Sequence, residues 1–169
     1  MHSRARVKLR RKYGVENQKE EDMETKQIAE EFMKGYDCSQ VVLKYFAHRL
    51  GISEDEANRV AAGFGGGMML GSVCGAYTGA LMALGLKYGH TNPDGLMKQK
   101  EIMLAKMGQL NEKFTEEFST VECKELIGYD LSVPEELKNA LDSGKLLSYC
   151  PGLLDKVIQI TEQILDGEA

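Results

Sequence analysis

The sequence predicts an all-α protein, a compact multi-helix bundle of about six to eight helices around a central helix of small residues. Three observations lead there. Helix-capping and helix-stopping residues recur at regular intervals along the chain. Leu, Met, Ala, Glu and Lys outweigh Val and Ile, and there are 3 prolines and no tryptophan. No stretch shows the period-2 alternation with hairpin turns that strands require.

Taken in order, the first helix is expected over about Glu24–Lys34, with Ile28, Phe32 and Ala29 inward and Gly35 as its stop. Asp37 caps a second helix that carries Val41, Val42, Tyr45, Phe46 and Leu50 and ends at Gly51. Ser53 and Glu56 have capping-box spacing, which opens a third helix running to about Ala62. Gly63–Gly71 reads as a loop, and Ser72 can cap a fourth helix of about 16 residues.

Asn92-Pro93 places a cap before a first-turn proline and opens the longest helix. Its apolar positions Leu96, Met103, Met107, Leu110, Phe114 and Phe118 share one face. Thr120 starts a short helix that Gly128 ends, and Pro134 opens another that closes near Gly144. Cys150-Pro151 opens the terminal helix, with Leu154, Val157, Ile158, Ile164 and Leu165 available for burial.

Charge divides the chain. The 169 residues carry a formal −5, yet residues 1–12 hold six Lys or Arg and no acid. The remainder has 15 basic against 26 acidic residues, a net −11 that repels nucleic acid. Residues 1–22 therefore read as a disordered leader, and residues 23–169 as a single helical redox-active domain in which Met23 would serve equally well as a start. The basic run is followed by polar residues, unlike a signal peptide. Val60–Leu86 holds no charge over 27 residues, but eight are glycine, which suits a buried central helix after a glycine loop better than a membrane span.

The four cysteines, Cys38, Cys74, Cys123 and Cys150, contain no CxxC pair, so spacing alone identifies neither a thioredoxin motif nor a zinc ribbon. Placement says more. Each falls in the expected opening turn of a different helix, where unpaired N–H groups and the positive dipole end favour a thiolate. The bland alternative is four small buried hydrophobes. Structural disulfides suit a chain without a secretion signal poorly, and the expected location is the cytoplasm. In the fourth helix Gly71, Gly75, Gly79 and Ala83 recur every four residues beside Ala76 and Ala80, a strip that lets another helix approach closely.

Cys74-Gly75-Ala76-Tyr77-Thr78-Gly79 resembles the CGAxxG signature of the C-GCAxxG-C-C family, named for redox activity. The resemblance extends upstream to Gly35-Tyr36-Asp37-Cys38-Ser39-Gln40 and downstream to Cys123 and Cys150, covering roughly residues 25–165. It implies a redox role carried by the cysteines and supplies neither substrate nor reaction.

Three functions compete. Cys74 and a partner, with Cys38 preferred, could cycle between dithiol and disulfide against a redox partner, as a thiol oxidoreductase does. All four cysteines could instead converge on zinc or an iron–sulfur cluster. Thirdly, the acidic surface or small-residue face could serve a noncatalytic interaction, homodimerisation included. Gly63-Phe64-Gly65-Gly66-Gly67 lacks the preceding strand of a dinucleotide loop and reads as a flexible or tightly packed turn. His48 reads as solvated, His90 as the histidine nearest a site, and Tyr36 and Tyr77 as core residues able to reach a thiolate. Met97, Met103 and Met107 read as core.

Overall fold

The computed structural model describes residues 26–167. The expected leader, its basic run, Met23 and the first residues of helix one lie outside the described residues. Eight α-helices follow: α1 (26–33), α2 (Cys38–Leu50), α3 (Glu54–Ala61), α4 (Gly75–Tyr88), α5 (Leu96–Phe118), α6 (Cys123–Ile127), α7 (Pro134–Asp142) and α8 (Lys145–Asp166). Among the described residues the chain makes no extended pairing except one isolated antiparallel bridge, Val73 to Glu122. The fold is all-α.

The core sits where α2, α4 and α8 meet, with the second half of α5 closing one side. Phe46, Leu43, Leu84, Leu110, Phe114, Leu154, Ile164 and Leu165 fill it with essentially no exposure. α4 packs most extensively on α2, and its small-residue strip explains why. Gly75, Ala76, Gly79, Ala80 and Ala83 are all buried, so the strip serves contact within this chain.

Several expected boundaries move. Ser53 and Glu56 do form the capping box, the Ser53 N–H donating to the Glu56 carboxylate at 2.8 Å. α4, however, starts at Gly75 with Cys74 as its cap, because Ser72–Cys74 is drawn into the bridge with Val121–Cys123. Asn92 instead accepts the Asp94 N–H at 3.0 Å, a local turn, and α5 begins after left-handed Gly95. On α5, Leu110 and Phe114 are buried and Met103 and Phe118 are partly so, but Leu96 is exposed along with Met97. The expected apolar face is therefore covered only in its second half. Tyr45, expected inward, is exposed and sets its ring edge-on against buried Phe46.

The largest shift is in α8, which starts at Lys145 and carries Pro151 inside it. Proline can open a helix, but here the preceding turn, capped by left-handed Gly144, is already helical. Between α3 and α4, the glycine loop is a tight turn. Gly66, Gly67, Met68 and Met69 are consecutively left-handed, with φ between 54° and 61°, and the Ser72 N–H closes onto the Gly67 carbonyl at 3.2 Å. A Cβ at Gly67 would meet the Ser72 backbone at 2.5 Å, so the turn requires glycine there.

Candidate functional site

The four cysteines come from four elements that the fold draws together. Cys38 is the first residue of α2, and the preceding Asp37 ties that helix end to the glycine loop. The Asp37 N–H donates to the Gln40 side chain at 2.8 Å, and its carboxylate accepts the Gly63 N–H at 2.9 Å. Gly65 passes so close to Asp37 that a Cβ would lie 2.6 Å from its Oδ1. This clasp holds the opening of α2 against the loop that leads to Cys74.

Cys74 and Cys123 are held by backbone pairing. The Cys74 N–H donates to the Val121 carbonyl at 2.8 Å, and the Cys123 N–H donates to the Ser72 carbonyl at 2.6 Å. These two bonds flank the Val73–Glu122 pair, so the side chains of Cys74 and Cys123 project to the same face. α4 and α6 then leave the bridge in their own directions. Cys150 comes from the second turn of α8, immediately before Pro151. Cys74, Cys123 and Cys150 are buried, and Cys38 is partly exposed.

Cys38 and Cys150 lie close enough for each thiol to act on the ionisation of the other. The sequence alone favoured Cys38 with Cys74; in the fold Cys38 neighbours Cys74 too, but Cys150 acts on it most strongly. The proximity of Cys38 and Cys150 is the first cause of both shifts: sharing one proton between the two sulfurs lowers the Cys150 thiol and raises the Cys38 thiol. Burial and the neighbouring Cys150, Cys74 and Cys123 raise Cys38 further, whereas the Lys145 ammonium also favours the Cys150 thiolate. Lys145 lies over the Tyr149 ring, 4.6 Å from its centre, on the turn before Cys150.

The expectation that helix starts lower every thiol fails, since Cys38, Cys74 and Cys123, the three at helix starts, are all raised. The Ala76 and Tyr77 N–H groups at the start of α4 favour the Cys74 thiolate, but desolvation outweighs them and its pKa rises to about 11. Burial pushes Cys123 up to about 12, with Cys74 and Cys150 adding to the shift. Cys150, the one lowered thiol, is also the one outside a first turn.

The other sequence candidates stand apart. His90 is exposed beyond the end of α4, and His48 is exposed beside Glu54 at 3.3 Å. Tyr36 lies under the Lys44 ammonium, and Tyr77 packs edge-on against Phe114 at 5.2 Å. Sequence reasoning missed Lys145 and Tyr149, since their relation to Cys150 exists only once α8 is known to begin at Lys145. Among the described residues, no group of three or more His, Cys, Asp or Glu side chains is arranged to hold a metal ion. No helix among the described residues is long and apolar enough to cross a membrane.

No curated protein and no solved structure matches the chain. A family model does, over residues 36–164, which takes in all four cysteines and the elements that gather them. The chain belongs to the family described as putative redox-active protein (C_GCAxxG_C_C).

Proposed function

We propose that this protein is a thiol oxidoreductase in which Cys38 and Cys150 alternate between dithiol and disulfide. The observation that carries the reading is the proximity of these two thiols, whose ionisation shifts in opposite directions. Cys150 is the nucleophile, because its thiolate is favoured by the neighbouring Cys38 thiol and by Lys145. Cys38 is the resolving thiol, and its partial exposure gives a partner a way in.

The chemistry is a thiol–disulfide exchange. The Cys150 thiolate attacks one sulfur of a partner disulfide, forms a mixed disulfide and releases one partner thiolate. Cys38 then loses its proton and attacks the Cys150 sulfur, closing the Cys38–Cys150 bond and releasing the second partner thiolate. Two electrons and two protons pass to the partner. In the reducing cytoplasm the dithiol is the resting form.

The test is disulfide mapping after mild oxidation of the reduced protein. The reading expects one Cys38–Cys150 cross-link, reversed by dithiothreitol and lost in Cys150→Ser. Four thiols that stay free under an excess of a small disulfide would overturn it.

A further inference from the structure

Exchange between Cys38 and Cys150 leaves Cys74 and Cys123 without a task, both buried. A thiol in an apolar core is ordinarily inert packing. These two are placed otherwise. The bridge bonds at 2.8 and 2.6 Å fix their backbones side by side and aim both side chains to one face. Such diagonal neighbours lie about 7–8 Å apart at Cα and closer at Cβ, just beyond disulfide reach. A slide of the bridge by roughly 1 Å closes that gap.

Cys74 also adjoins Cys38. Gly75, the next residue, is pressed against α2 so tightly that a Cβ there would lie 3.1 Å from the Cys38 Cβ and 2.9 Å from the Phe64 carbonyl. The N–H groups of Ala76 and Tyr77, in the first turn of α4, favour negative charge on the Cys74 sulfur. The four cysteines thus form one cluster, in which Cys38 neighbours both Cys150 and Cys74, and Cys74 neighbours Cys123.

We propose that Cys74 and Cys123 are a second redox couple, filled by internal exchange from Cys38–Cys150, so that the fully oxidised protein holds two disulfides. The proposal rests on the Cys38–Cys150 reading above. Cys74 gives up its proton and attacks the Cys38 sulfur of the first disulfide. The Cys38–Cys150 bond breaks, Cys38–Cys74 forms, and Cys150 leaves as the thiolate its surroundings favour. Cys123 then gives up its proton and attacks the Cys74 sulfur, forming Cys74–Cys123 and returning Cys38 to a thiol.

Each exchange breaks one S–S bond and makes one, and the protons given up return to the released sulfurs. No net electrons move within the protein. A second partner disulfide then reoxidises Cys38 and Cys150. In total, two partner disulfides become four thiols as the four cysteines of the protein become two disulfides. The buried couple stores two electrons out of reach of bulk oxidants, and the outer couple delivers or collects them.

Graded mixtures of reduced and oxidised dithiothreitol test this on the whole protein, with exchange quenched in acid, free thiols alkylated in denaturant, and linked peptides mapped by mass. The expected course is four thiols falling to two and then to none, with Cys74 linked to Cys123 at the end. Oxidation that stops at Cys38–Cys150, with Cys74 and Cys123 both alkylated, overturns the second couple and leaves the first reading standing. Absence of any Cys38–Cys150 link overturns both. In Cys38→Ser/Cys150→Ser, the buried pair is expected to oxidise at least about ten-fold more slowly than in the natural protein, since its route for exchange is gone. An unchanged rate would reject the route through Cys38.

Discussion

A Cβ on Gly79 would stand 2.7 Å from the carbonyl oxygen of Ser39, so α4 and α2 meet backbone to backbone one turn below the Cys38–Gly75 contact. Buried Ser39 in turn donates its hydroxyl to the Ala61 carbonyl at 2.8 Å, which fixes α3 to the same junction. The spacing of the cysteines depends on this close approach, because any added side chain pushes the starts of α2 and α4 apart.

Gly79→Ala is therefore expected to destabilise the protein by about 1–3 kcal/mol, the scale of overpacking, despite alanine's better helix propensity. Gly85→Ala, in the same helix with nothing within 4 Å of the new Cβ, is expected to stabilise by up to about 1 kcal/mol. Urea unfolding of the two variants, compared by midpoint at equal slope, checks the contrast.

Met68 sits at φ 61° within the left-handed turn, a conformation that costs a side-chain-bearing residue about 1–2 kcal/mol. Its side chain is exposed and contributes little burial. Met68→Gly is expected to raise the unfolding midpoint, with a gain of roughly 0.5–1 kcal/mol once glycine's greater unfolded-state entropy is subtracted. A lower midpoint would mean that the methionine side chain itself holds the turn.

Cys74 and Cys123 are kept protonated by burial, so the folded protein binds those protons more tightly than the unfolded chain, whose thiols titrate near 9.0. With the proteins kept reduced, stability should hold its full value below pH 9 and decline as pH rises through about 11 to 12. For Cys74 alone the loss is on the order of 3 kcal/mol. Denaturation curves between pH 8 and 11 should fall less steeply for Cys74→Ala than for the natural protein.

Lys145→Met removes the cation that favours the Cys150 thiolate. The pH midpoint for alkylation of Cys150 should move upward, and the rate at pH 7.5 should fall by roughly two- to five-fold, the scale of a screened, partly exposed charge. Lys145→Arg should restore the natural profile. Equal shifts in both variants would indicate a packing role over Tyr149 instead.

Much of this architecture was legible before any coordinates. Helices α2, α3 and α7 lie close to where Asp37, Ser53 and Pro134 announced them, since caps are local chemistry acting over one turn. The buried face of α8 also followed from spacing, with Leu154, Val157, Ile158, Ile164 and Leu165 all inside. Ser72 failed as a cap because its carbonyl is claimed by the Cys123 N–H from 51 residues away. Pro151 failed as a helix start because Gly144 had already opened α8. No local rule contains either contact.

By itself, the sequence determined the helical class, the small-residue strip and the four cysteines of the family pattern. Periodicity, caps and residue types are properties of neighbours along the chain. Only the tertiary structure decided which thiols meet and which of them is easiest to ionise. Cys38 lies 112 positions before Cys150, and their contact arises from packing α2 and α8 around α4. Likewise, a helix start favours a thiolate by local dipoles, but burial disfavours it through the whole surrounding shell. At Cys74 the shell outweighs the dipole.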